Sequence, residues 1–252
     1  MTVTMKNLKN EPVNTTLKDS VWQSMQQTTT RKQHVIVITD KSGSMGGLAE
    51  EVRKSFNQHL TDMRNAAVAN PQVEYRYTVT VFDTNFRLIC VDAPLADVPN
   101  FTRENYTTDG FTALLDAVGK TVLEFEGRTT LGPDDRVLLI IQTDGAENSS
   151  KEYSWDQIKA LLTERAARPN WKILYLGEGA DSWLADGALG AGVSILRSHS
   201  GVGHTQSRYA GMTRATLSYG NENNVAVAAA GDLSNFFEPD ASVQTNDTTN
   251  QQ

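Results

Sequence analysis

The chain has 252 residues, with 23 Lys and Arg against 30 Asp and Glu, a formal net charge of −7, and 39% hydrophobic residues. That is enough apolar material for one sizeable core, which excludes a chain disordered throughout, and no apolar run approaches the ~18–20 residues of a membrane span. The negative balance, with no dense Lys/Arg block, argues against nucleic acid as a partner. Cys90 is the single cysteine, so no internal disulfide and no cysteine-based zinc cluster can form. The lysines of the first nine residues lead into the polar stretch Asn10–Thr30 rather than an apolar signal core. The expectation is a cytoplasmic, intracellular protein with no membrane partner.

Residues 1–33 carry five basic and two acidic side chains and read as an N-terminal extension. From about His34 to about Ala230, short apolar runs alternate with helical stripes, the pattern of an α/β domain. His34–Thr39 is a near-continuous Val/Ile run, as expected of a strand covered on both faces. Leu48, Val52, Phe56, Leu60 and Met63 then mark one face of a helix. Val73–Phe82 alternates apolar and polar residues, and Asp83-Thr84-Asn85 leads into Phe86–Val91, which predicts a hairpin and one antiparallel strand at an edge.

Leu114, Leu115, Val118, Val122 and Phe125 define a second helix, and Arg136–Gln142 a further strand. A third helix opens on the capping-box pair Ser154 and Gln157, buries Ile158, Leu161 and Leu162, and stops before Pro169. Trp171–Leu176 and Gly192–Leu196 read as strands, with Asp181–Leu189 compatible with a short helix between them. Thr205–Tyr219 reads as a terminal helix ended by Gly220. Residues 231–252 hold Asp232, Glu238, Asp240 and Asp247 with no Lys or Arg, and are expected to form an acidic, disordered tail.

In an open parallel sheet, loops leaving the carboxyl ends of the strands meet above one edge, and ligands bind there. Asp40-Lys41-Ser42-Gly43-Ser44 ends the first strand, Asp109-Gly110-Phe111-Thr112 leads into the second helix, and Thr143-Asp144-Gly145 ends the fourth strand. They offer the carboxylates of Asp40, Asp109 and Asp144 and the hydroxyls of Ser42, Ser44, Thr112 and Thr143. These are hard oxygen donors, suited to Mg²⁺, which takes near-octahedral oxygen at about 2.0–2.1 Å and retains waters. Each segment alone also suits a plain turn or helix N-cap. Their occurrence in order at three strand ends or helix starts favours a site.

The three segments, with Gly110-Phe111-Thr112-Ala113-Leu114-Leu115-Asp116-Ala117 in the second, resemble the metal-ion-dependent adhesion site of von Willebrand factor A (vWA) domains, over roughly His34 to Tyr219. The resemblance implies an α/β, doubly wound, Rossmann-like fold: a mostly parallel sheet with one antiparallel edge strand and helices on both faces. It implies that Ser42, Ser44 and Thr112 contact a metal through their hydroxyls, while Asp40 and Asp144 act directly or through water. The stand-alone layout suggests a bacterial or phage type.

The function expected is a non-enzymatic adhesion or scaffold module. In it a Mg²⁺ or Mn²⁺, or alternatively Ca²⁺, coordinates an Asp or Glu carboxylate of a partner protein. A metal-dependent hydrolase or phosphatase on the same ion is the alternative, against which no histidine can be placed at the strand ends and Glu147 is a candidate base only by proximity in sequence. A third reading has the ion merely pinning the loops. Gly119-Lys120-Thr121 imitates a phosphate-binding loop but lies inside a helix, with Leu114 where the upstream glycine would stand. His34, His59, His199 and His204 lack metal-ligand spacing, and His59 is expected on a helix flank.

Overall fold

A computed structural model describes residues 30–177, 193–197, 202–222, 231 and 233–237. In chain order the elements are β1 (Arg31–Asp40), α1 (Ala49–Ala69), β2 (Val73–Phe82), β3 (Phe86–Pro94), α2 (Leu114–Arg128), β4 (Arg136–Thr143), α3 (Trp155–Ala166), β5 (Trp171–Gly177), β6 (Val193–Arg197) and α4 (Val202–Asn221). The six strands form one sheet in the order β3-β2-β1-β4-β5-β6. Every pairing is parallel except β2 with β3, so the antiparallel strand is the edge strand expected from the hairpin.

The apolar runs form strands because both faces of the sheet are covered. Successive side chains of β1 point to opposite faces. Val35 and Val37 join Val52, Phe56, Leu60 and Met63 of α1 and Tyr209, Met212, Ala215 and Tyr219 of α4. Ile36 and Ile38 join Leu114, Val118, Val122 and Phe125 of α2, with Ile158 and Leu162 of α3 and Trp171. The capping box is present: Ser154 N donates to Gln157 Oε1 (2.8 Å), and Gln157 N to Ser154 Oγ (3.4 Å).

Three expectations differ from the fold. Gly220 does not end the terminal helix, which runs to Asn221; a Cβ there would lie 1.9 Å from Gln33 Oε1 and 3.0 Å from Tyr75 Oη, so the residue serves close packing of helix on sheet. His59 is not on a flank but fully buried between α1, β2 and α4. Its Nδ1 lies 2.8 Å from Thr213 Oγ1 and its Nε2 3.0 Å from Tyr77 Oη. Thr213 gives its own proton to Tyr209 O (3.0 Å), so Nδ1–H is the donor and Nε2 accepts from the tyrosine. Thirdly, the folded part extends past residue 231: Leu233 is buried, its amide donates to Ser194 Oγ (3.0 Å), and Arg214 Nη2 donates to Phe236 O (2.7 Å). The short helix expected at 181–189, and all but the last residues of the N-terminal extension, lie outside the described residues. No helix among the described residues is long and apolar enough to cross a membrane.

Candidate metal site

The parallel register sets the site. Thr39 of β1 faces Gln142 of β4, so the next residues along, Asp40 and Thr143, leave the sheet side by side. Thr143 Oγ1 donates to Asp40 Oδ2 (2.6 Å), and Ser42 N donates to Asp40 Oδ1 (2.7 Å). The Ser42 and Ser44 hydroxyl oxygens are 3.1 Å apart, and Ser44 Oγ donates to Asp144 Oδ1 (2.9 Å). Gly145 brings in the second segment, since a Cβ there would stand 2.8 Å from Thr112 Oγ1, 3.5 Å from Ser44 Oγ and 3.7 Å from Asp40 Oδ2. Asp40, Ser42, Ser44, Thr112 and Asp144 therefore converge. Asp109 stays on the exposed rim, its Oδ1 accepting from Gly110 N (2.8 Å).

The competing roles are spent elsewhere. Ser42 precedes the 3-10 turn Gly43–Leu48 but makes no side-chain cap bond, although Asp40 does close a turn on its amide. Thr112 is not the N-cap of α2, where Ala113 stands with no side-chain cap. The first amides of α2 go instead to the loop after β4: Leu115 N donates to Glu147 Oε2 (3.0 Å) and Asp116 N to Ser150 Oγ (3.1 Å). Glu147 also accepts from Ser149 N (2.8 Å) and from Ser150 through its amide and hydroxyl (both 2.7 Å). Four hydrogen bonds occupy both carboxylate oxygens and make Glu147 an organiser of this loop. His34 is no better placed, bound through Nδ1 to Asp92 Oδ1 (2.7 Å) well back along β1.

Supports whose roles the sequence did not assign complete the frame. Tyr106 Oη donates to Asp40 O (2.7 Å), and Thr112 N donates to Asn148 Oδ1 (2.9 Å). Asp116 draws in the same loop by accepting from Lys151 N, Glu152 N and Tyr153 N at 3.0, 2.9 and 3.0 Å. Burial works to raise the Asp116 pKa, but those three amides outweigh it and hold the carboxyl below the usual range.

Asp40 shows the opposite balance. Burial pushes its carboxyl up to about 6; the bonds from Thr143 and Ser42 pull it down, and the nearby Asp144 charge pushes it up. The fully buried carboxylate thus sits among neutral donors and a second acid. No cluster of three or more His, Cys, Asp or Glu occurs among the described residues; the candidate centre here rests on two carboxylates and three hydroxyls. That donor set fits a hard divalent cation and leaves it under-neutralised.

No family model and no curated protein sequence matches the chain. Solved structures do. The vWF domain of the type V pili tip protein of Porphyromonas gingivalis aligns over 78% of this chain and 98% of its own, at 10% identity and TM-score 0.50. The fold is vWA-like. The pilus adhesin SpaC of Lactobacillus rhamnosus GG aligns over 76% of this chain and 31% of its own (10% identity, TM-score 0.54). Proximal thread matrix protein 1 of the mussel byssus aligns over 79% of this chain and 47% of its own (15% identity, TM-score 0.50). This chain spans less than half of the adhesin and of the mussel protein, and at such identities the likeness is one of fold. The vWA-like sheet places the loops after β1 and β4 at one pole, as an open parallel sheet requires.

Proposed function

We propose that the chain is a metal-dependent protein-binding module, not an enzyme, in which Ser42, Ser44 and Thr112 ligate a Mg²⁺ or Mn²⁺ and Asp40 and Asp144 ligate or orient. The observation that carries this reading is the convergence of five oxygens from three separate loops, with the Ser42 and Thr112 hydroxyls spared from capping. When bound, the ion supplies an electrophilic position that an Asp or Glu carboxylate from another protein completes. This chain's residues orient the donors: Tyr106 and Thr143 fix Asp40, Glu147 and Asn148 fix the Thr112 loop, and Ser44 is exposed with Asp144 half-buried beside it. Binding is favoured over hydrolysis because Glu147 is consumed in loop bonds and His34 and His59 are buried away from the site. A pilus adhesin and a pilus tip protein among the structural neighbours are in keeping with a binding role.

The test is calorimetric titration of Mg²⁺, Mn²⁺ and Ca²⁺ into EDTA-stripped protein, with Ser44→Ala and Asp144→Ala as controls. One-site binding of Mg²⁺ or Mn²⁺ that weakens at least about tenfold in either variant is expected. Variants that bind as the parent does would sink the reading.

A further inference from the structure

Phe111 is a large side chain left in solvent, 66% exposed, while its neighbour Thr112 is turned inward and 3% exposed. A lone exposed apolar residue is ordinary on a protein surface. This one differs in how firmly its backbone is held. Gly110, in the left-handed region at φ 69°, gives its carbonyl to Gly43 N (3.0 Å). Phe111 N donates to Thr84 Oγ1 (2.8 Å), Thr112 N to Asn148 Oδ1 (2.9 Å) and Ala113 N to Asp83 O (2.9 Å). Four consecutive residues are thus tied to the loop after β1, the β2–β3 turn and the loop after β4. A ring presented on so fixed a backbone loses little freedom on contact, which is what makes an exposed aromatic an effective anchor.

Resting on the metal–carboxylate reading above, we propose that Phe111 is the apolar half of a two-point contact. The partner segment then carries an isolated Asp or Glu for the metal and an apolar side chain one or two residues away for Phe111. Phe111 directly precedes Thr112, and an extended chain advances about 3.3 Å per residue, so the apolar side chain is placed one or two residues from the acid. Asp109, exposed on the same rim with its carboxylate on Gly110 N, sets the polarity around the ring. It disfavours a second acid beside the first, so a run of acids is a poorer partner than one acid with an apolar neighbour.

The experiment uses the full chain, ¹⁵N-labelled and saturated with Mg²⁺. It is titrated by NMR with three blocked peptides: Gly-Gly-Asp-Gly-Gly, Gly-Gly-Asp-Leu-Gly and Gly-Asp-Asp-Asp-Gly. The leucine peptide should bind about five- to tenfold tighter than the glycine peptide, as expected for burying part of one side chain, and the triple-acid peptide no tighter than the single. In Phe111→Ser the leucine preference should vanish while the Mg²⁺-induced rise in unfolding temperature stays as in the parent, since no metal-site residue changes. Equal affinities in the parent, or a preference that survives Phe111→Ser, would overturn this inference and leave the metal reading standing. Absence of Mg²⁺-dependent binding by every peptide would overturn both.

Discussion

Replacing Gly145 by alanine would perturb the site without removing any candidate ligand. The added methyl carbon would stand 2.8 Å from Thr112 Oγ1, 3.5 Å from Ser44 Oγ and 3.7 Å from Asp40 Oδ2, among three of the five converging oxygens. Backbone strain does not enter, because Gly110 is the only glycine with positive φ among the described residues. A carbon–oxygen approach of 2.8 Å forces Thr112 Oγ1 back by a few tenths of an ångström. Mg²⁺ tolerates little of that, needing oxygens at about 2.0–2.1 Å in near-octahedral order. In EDTA the cost should be modest, about 1 kcal/mol, the low end for overpacking, because the site is open on one side. The metal response should suffer far more. An ion at about 100 times its dissociation constant adds roughly 2.7 kcal/mol to the parent. For a folded unit of this size that is about 5–11 °C in unfolding temperature. Thermal unfolding followed by circular dichroism, in EDTA and across a Mg²⁺ titration, reads both quantities. The variant should melt within about 4 °C of the parent in EDTA, yet need roughly 10- to 100-fold more Mg²⁺ for the same gain. A Gly145→Ala titration superimposable on the parent's would refute the placement of the metal among these oxygens.

Burial pushes the His59 pKa down to about 3, from an ordinary 6.5. Between those values the unfolded chain holds a proton that the folded one lacks. Stability is therefore fully present above pH 6.5 and falls as pH drops, by up to 1.36 kcal/mol per unit and on the order of 5 kcal/mol in all. Urea unfolding from pH 7 to 4 should show this slope in the parent and a flatter one in His59→Leu; parallel slopes would count against a neutral, buried ring. For Asp40, raised from 3.8 to about 6, the sign reverses. Both states are protonated below 3.8, and the metal-free fold loses roughly 3 kcal/mol as pH rises through 6. Asp40→Asn should lack that loss in EDTA and lack the Mg²⁺ gain, becoming the more stable protein without metal and the less stable with it; the same ranking in both buffers would contradict this. Gly220→Ala should cost about 1–3 kcal/mol, because Gln33, whose Nε2 donates to Thr216 O (3.0 Å), must give way to the new Cβ. A urea midpoint equal to the parent's would show that Gln33 relaxes freely.

The strands and helices were legible wherever one physical cause dominated. Val35–Ile38 could only be a strand buried on both faces, and Leu114–Phe125 could only be a helix with one apolar stripe. Gly220 misleads because two causes favour glycine near a helix end, a left-handed cap and a close approach to another backbone, and the sequence does not distinguish them. His59 lies three residues after Phe56 and so falls on the apolar face; its polar ring suggested a flank, and only the fold supplies Thr213 and Tyr77 to satisfy it. The site was readable because its donors are side chains in three compact segments. The roles of Tyr106, Asn148 and Asp116, the last already part of the second segment, were not, because each serves a backbone group whose neighbourhood exists only after folding.

The carboxylate of Asp116 at the start of α2 accepts three successive amides, and Glu147 returns the tie by capping Leu115. Residues 144–153 carry no regular secondary structure, yet they cannot peel away without unwinding the first turn of a core helix. Hydrogen exchange at Leu115, Asp116, Lys151, Glu152 and Tyr153 should accordingly proceed as one cooperative opening rather than as independent fraying. The irregular loop that carries Asp144 then behaves, on the timescale of such openings, as part of the helix beneath it, and a protease would find no early nick there.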